Sequence, residues 1–215
     1  KGVFMKPHAI AGILLAVALS PAQAQTSTPT PAPRFKPLTY ETMNEAQLKA
    51  AKDLASGQRG RLNIDGPNAL FLRSPELMSR TQRVGEYLRY NSAIPPRLSE
   101  LAILVTARQW TAQIEWLAHE PIALKAGVNA SVIADLKAGR RPAGMTADEV
   151  MIYDFCRQLH ETKTVSDEAF AAVRDKFGEN GVVDLVGITG YYTMLAMVLN
   201  VARMPLPSGQ SAPLQ

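Results

Sequence analysis

The 215-residue chain is 47% hydrophobic and 20% charged, which is enough apolar material for one packed core of ordinary domain size. Of its 23 Lys and Arg, only Lys1 and Lys6 fall in the first 24 residues, leaving 21 basic against 19 acidic side chains beyond them; so slight an excess gives no sign of nucleic-acid or polybasic membrane binding. The single cysteine, Cys156, excludes an internal disulfide framework and any C-x-x-C redox or zinc pair.

Residues 1–24 read as a secretory signal peptide. Residues 1–4 lie upstream and have no assigned role; Met5 and Lys6 then lead into an apolar run from Ala9 to Leu19 and a small-residue exit, Ala22-Gln23-Ala24. The run covers about 11 residues, within the span of a signal core and well short of the roughly 20 that a membrane helix needs. The expected location is therefore the periplasm or the medium. Residues 25–37, "QTSTPTPAPRFKP", alternate Pro with Thr, which prevents a helix and leaves little to bury, so a flexible leader is expected. One domain over 38–207 and a tail over 208–215 follow.

Strand signals are nearly absent and helical periodicity recurs in segment after segment, so the expected fold class is all-α. A first helix spans about Thr42 to Leu54 and stops at Gly57. A second opens with Ser74 as N-cap, Pro75 at the first helical position and Glu76 in the first turn. Pro95 and Pro96 separate it from a helix beginning near Arg97, whose Leu98, Leu101, Ala102, Leu104 and Val105 form a buried stripe. Thr111 is the expected N-cap of the next helix, from Ala112 to a stop at Gly127. Asn129 caps a short helix through Leu136 that ends at Gly139. Thr146 with Glu149 forms a capping box for the helix carrying Cys156 and His160. Ser166 with Ala169 gives half that signature before a helix that stops near Gly178. The last helix, about Val182 to Ala202, is apolar around nearly its whole circumference but interrupted by Asp184, Gly187, Gly190 and Asn200. Such a helix belongs at the centre of a bundle and under another subunit rather than in a stable membrane span. Its two glycines are expected to permit close helix approach.

On the Thr111–Gly127 segment, Glu115 and His119 stand one helical turn apart and project from one face. Glu100 lies on the preceding helix, and a separation of fifteen residues fits two helices that meet at a bend and pack side by side. The trio could be an acid-base site, or Glu115 and His119 could make a plain i,i+4 contact. His119-Glu120 begins like H-E-x-x-H, yet Pro121 follows and Ala123 stands at the second ligand position, so no zinc-protease site and no other metal site is expected. Cys156 and His160, also at i,i+4, could bind a metal or activate a thiol; beside Ile152, Phe155 and Leu159, Cys156 reads rather as a small buried hydrophobe.

Over Gly66–Pro207, the ordered segments "GPNALFLRSPEL", "PPRLSELAILVTARQW", "IEWLAHEPIALKAGV" and "VGITGYYTMLAMVLNVARMPLP" resemble the carboxymuconolactone decarboxylase family, related to the alkylhydroperoxidase D-like proteins. The resemblance implies a helical bundle of that type, assembled as a homo-oligomer, trimer or hexamer. The peroxidase branch is similar in having an upstream Glu and then C-x-x-C-x-x-x-H. Glu100 and His119 match its Glu and His, but Ala112 and Glu115 occupy the two cysteine positions, which removes the peroxidatic thiol and its resolving partner. The decarboxylase branch resembles the chain better, since it too can carry Glu four residues before the His.

The expectation is thus an exported lyase or isomerase, needing no cofactor, that acts on a small acidic, conjugated or lactone-like substrate. Decarboxylating an acid conjugated to a carbonyl leaves a dienolate, which needs a nearby cation and a proton donor; imidazolium supplies both. His119, Glu115 and Glu100 are the expected catalytic residues. Arg97 and Arg108 are candidates for gripping a substrate carboxylate by bidentate pairing, although for each a surface or intersubunit salt bridge is the favoured reading. Trp110 and Trp116 are candidates for lining an apolar pocket, or else pack in the core. Two alternatives stand beside this one: a peroxidase-like antioxidant protein, and a non-enzymatic helical oligomer that binds a small molecule.

Overall fold

Eight α-helices and no strand make up the regular structure among the described residues (1–2, 32–56, 64 and 66–215) of a computed structural model, which is about 70% helical. The signal segment from residue 3, the leader up to residue 31 and the helix stop at Gly57 lie outside them. Residues 1–31 separate from 32–215 as a unit of their own; the architecture that follows is that of 32–215. After a 3-10 turn at Tyr40–Thr42 come α1 (Glu45–Ser56), α2 (Gly66–Phe71), α3 (Pro75–Tyr90), α4 (Pro96–Gln109), α5 (Gln113–Lys125), α6 (Ala130–Lys137), α7 (Ala147–Thr162) and α8 (Asp167–Ala202).

Local chemistry sets most of these boundaries. Asn129 accepts from the Ser131 N–H, Thr146 and Glu149 close a reciprocal capping box, and Ser166 accepts from the Ala169 N–H. Gly178, at φ 72°, breaks α8 where the sequence expects a stop, although the helix resumes at once. Three expectations are corrected. Thr42 belongs to the 3-10 turn, and α1 starts later because Asn44 and Gln47 form their own reciprocal cap, at 2.9 and 3.0 Å. Ser74 occupies the N-cap position of α3, but its side chain makes no capping bond. Thr111 does not cap α5. It takes a left-handed conformation, φ 46°, in which its N–H bonds the Arg108 carbonyl and the Ala112 N–H bonds the Ala107 carbonyl. This is the Schellman closure of α4 with threonine in the place glycine usually takes, and Ala112 is left as the N-cap of α5.

The core centres on α4. Every residue from Leu98 to Ala107 is buried, so the apolar stripe widens into burial all round, and α4 packs against α5, α6, α7 and α8. By length and composition α8 could cross a membrane, yet half of its most apolar stretch is covered by the bundle. The polar residues that interrupt it make specific contacts. Asp184 accepts from the Ala93 N–H at 2.7 Å and from the Tyr87 hydroxyl at 3.1 Å, fixing the α3–α4 turn. Asn200 donates to the Trp110 carbonyl at the end of α4, at 2.8 Å. Gly187 allows Leu88 of α3 to approach; a Cβ there would meet that side chain at 3.0 Å. Gly190 has no described neighbour within 4 Å of such a Cβ, so close helix approach accounts for one of the two glycines.

Both ends of the unit are tied to the bundle. The Arg34 N–H and guanidinium donate to the carbonyls of Ala202 and Val201, each at 3.0 Å, so the last part of the leader is held against the end of α8. In the tail, buried Leu214 exchanges two bonds with the Gln113 side chain, at 2.8 and 2.9 Å. That places a tail contact on the first residue of α5.

Inside the bundle His160 of α7 bonds Thr106 of α4 through Nε2, at 3.1 Å. Burial, followed by the charges of Lys163 and Arg157, pushes its ionisation down from 6.5 to about 4. The folded state thus keeps the imidazole neutral while the unfolded chain takes up a proton below about pH 6.5. The stability this group contributes is complete above that pH and is lost as pH falls toward 4, by at most about 3 kcal/mol. Denaturant titrations at several pH values should show a shallower acid decline for His160→Gln than for the parent. Identical slopes would exclude His160 as the source.

Candidate functional site

The reversal at Thr111 lays α5 back along α4 and brings together residues fifteen and nineteen positions apart. Glu115 is the third residue of α5, in the first turn, where the helix dipole favours a carboxylate. His119 follows one turn later, and Glu100 faces both from α4. His119 Nδ1 lies 2.7 Å from Glu100 Oε2, a hydrogen bond, while Nε2 lies 3.6 Å from Glu115 Oε2, beyond hydrogen-bond length. All three are buried, at 6% (Glu100), 4% (Glu115) and 5% (His119) exposure. With Glu100 ionised, Nδ1 carries the proton it donates to that carboxylate, which leaves Nε2 as the atom that can exchange protons on the Glu115 side.

Glu115 and His119 stand at the wall of a cleft of about 570 Å³, with Glu100 behind His119, within the usual range for a small-molecule site. Glu115 and His119 line it with Asn68 of α2, Arg89 and Tyr90 of α3 and Tyr192 of α8; Ile114, Ile122, Leu195, Pro67 and Pro207 supply apolar surface. The Tyr192 ring stands edge-on to the His119 ring, with centroids 5.0 Å apart. Burial pushes the Tyr192 phenol well above its ordinary range; the Arg89 charge opposes this, and Glu115 and Glu100 add to it. Tyr192 is accordingly a protonated hydroxyl at any physiological pH. The Arg89 guanidinium is 4.0 Å from Glu100 Oε1, so among the described residues two carboxylates stand with one imidazole and one guanidinium.

Sequence reasoning singled out Glu100, Glu115 and His119, and the structure groups them. It does not bring the other four candidates to the cleft. Arg97 makes an ion pair with Glu149 of α7; the Glu149 carboxylate is almost fully buried and needs a cation. Arg108 lies about 12 Å farther along α4 than Glu100 by helical rise, against Gly139, with its Nε–H buried and unpartnered. Trp116 is fully buried and donates Nε1–H to Glu120 at 2.9 Å. Trp110 sits at the end of α4 with its indole N–H buried and unpartnered. Arg89 and Tyr192 were not singled out. Arg89 gave no local signal, whereas the Tyr191-Tyr192 pair, two hydroxylated rings in the apolar second half of α8, was one that spacing rules do not read.

Cys156 lies apart from the cleft. It is fully buried, 3.6 Å from the Thr189 hydroxyl, and burial pushes its thiol up to about 12, so it holds almost no thiolate at neutral pH. Among the described residues no group of three or more His, Cys, Asp or Glu side chains is arranged to hold a metal ion. Compared with known proteins, the chain matches no protein-family model and no curated protein.

Proposed function

We propose that the chain is a carboxymuconolactone decarboxylase-like protein: an exported lyase or isomerase, working without a cofactor, that acts on a small acidic, conjugated or lactone-like compound through His119. The observation that carries this reading is an imidazole whose Nδ1 is held by Glu100 and whose Nε2 faces a second carboxylate at the wall of a cleft of substrate size. In a decarboxylation the bond between the carboxyl carbon and its neighbour breaks, CO₂ leaves, and the electron pair moves into the conjugated carbonyl. Imidazolium offsets the resulting dienolate charge, and Nε2 delivers a proton to the carbon that regains a hydrogen. Tyr192, held protonated, is an additional donor for the developing oxyanion. An isomerisation would use the same groups, with His119 first removing a proton and then returning it.

A screen of small unsaturated lactone acids, oxo acids and hydroperoxides tests the reading. Turnover of an acid with loss of CO₂, or with a shifted double bond, supports it. Thiol-dependent consumption of hydroperoxide would favour the peroxidase reading, against which the burial of Cys156 counts. Saturable binding without turnover would favour the non-enzymatic oligomer.

The proposal includes assembly with copies of itself, as a trimer or hexamer. Val183, Val186, Met197 and Val201 recur at helical spacing on the outer side of α8, with Val183 and Val201 69% and 57% exposed. An apolar stripe of this kind is unusual on a monomer. It also includes removal of residues 1–24 on export, which the apolar run and the Ala-Gln-Ala exit support. Native mass spectrometry of the secreted protein reads both, as subunit mass and complex mass. A subunit that keeps residues 5–24 would refute the cleavage, and a monomer that persists at working concentration would refute the assembly.

A further inference from the structure

Among the described residues lining the cleft Arg89 is the one Lys or Arg, and the sequence candidates Arg97 and Arg108 are not there. Its environment suits an anion receptor. The side chain keeps 24% exposure, so it is desolvated enough to strengthen an ion pair yet open to the cleft. Its link to Glu100 is long, 4.0 Å, while Glu100 is already bonded through its other oxygen to His119 at 2.7 Å. Glu100 therefore does not engage the guanidinium in the two-pronged geometry that carboxylates form best with arginine. Ile114, Ile122 and Leu195 line the same cleft as Arg89 and His119. An amphiphilic acid, with one carboxylate and a hydrocarbon body, matches a lining that combines one guanidinium with apolar side chains.

We propose that Arg89 is the substrate-positioning residue of the cleft: its guanidinium grips a carboxylate of the ligand and so sets the ligand's apolar body against Ile114, Ile122 and Leu195 within reach of His119 Nε2. The inference rests on the cleft being the working site named above. The carboxylate it holds is one that stays on the molecule, because pairing a departing carboxylate with a guanidinium would stabilise the ground state against loss of CO₂. Glu100 remains bonded to His119 throughout, so ligand binding leaves the imidazole in place.

Binding of trans-cinnamate and of its neutral counterpart cinnamamide to the full chain, measured by calorimetry or by chemical-shift titration, tests the assignment. The parent protein should prefer the acid by about 10-fold or more, the scale of one charge-assisted hydrogen-bonded pair. Arg89→Gln should abolish that preference while leaving cinnamamide affinity unchanged, and Arg89→Lys, which keeps the charge but not the fork, should recover only part of it. Arg97→Gln should leave the preference intact. If Arg89→Gln lowers the melting temperature strongly, the comparison is made with Arg89→Lys alone. The proposal is overturned if cinnamate does not bind, if the parent does not distinguish acid from amide, if the Arg89 variants keep the full preference, or if Arg97→Gln removes it. His119→Gln should retain the preference even if it abolishes turnover, so a failure of the acid-base reading and a failure of the carboxylate grip give different results.

Discussion

Replacement of His119 by Gln should reduce turnover by about 100-fold or more, the ordinary scale of general acid-base catalysis, with assembly state and melting temperature nearly unchanged. The amide can still donate to Glu100, so what the substitution removes is the ability to take up and release a proton at Nε2. If the Glu115–His119 pair merely sealed the face of α5, Gln would serve almost as well and activity would survive. Glu115→Gln gives the complementary result. Glu115 Oε2 lies 3.6 Å from Nε2, so neutralising that carboxylate removes a charge beside the nitrogen that exchanges protons and should lower the rate. Glu100→Gln should lower the rate as well, because the Nδ1 bond that orients the ring is then made to an amide instead of a carboxylate. Turnover that persists within a few fold in His119→Gln would overturn the acid-base assignment for the whole trio.

A second large effect is expected at a residue that does not line the cleft. Asp184→Ala should destabilise the fold by about 2–4 kcal/mol, because a half-buried backbone donor loses its buried acceptor and two further hydrogen bonds go with it. The Ala93 N–H, the Tyr87 hydroxyl and, at 3.4 Å, the Asn180 amide all donate to this one carboxylate, which is 4% exposed. The contacts hold the turn between α3 and α4 against α8, and the same two helices carry Arg89 and Glu100. Tyr87→Phe, which removes one exposed partner, should cost about 1 kcal/mol or less. Denaturant midpoints at matched protein concentration would measure both, since any self-assembly adds a concentration-dependent term. A loss below about 1 kcal/mol for Asp184→Ala would mean that the turn relaxes and finds other acceptors.

Several helix boundaries were legible in the sequence because the signals that set them are local. Pro75, Pro95 and Pro96, the Thr146–Glu149 box and the glycines at 127, 139 and 178 act on backbone within a few residues of themselves. The same holds for Glu115 and His119, whose shared face follows from helical periodicity alone. Thr111 shows where local signals compete: its suitability as an N-cap gave way to the closure of α4, a choice made by the sharpness of the turn between two helices that pack together. The role of Arg97 was not legible, because it depends on Glu149, 52 residues away, being buried and in need of a cation. Nor were the remaining walls of the cleft. Arg89 and Tyr192 come from α3 and α8, and nothing in the spacing of either helix encodes that both will stand beside the His119 imidazole. Periodicity determined which residues share a helix face; which faces meet, and hence which charges share a cleft, was decided by the packing of α3, α5 and α8 around α4, because contact between distant segments depends on the shape of the whole core.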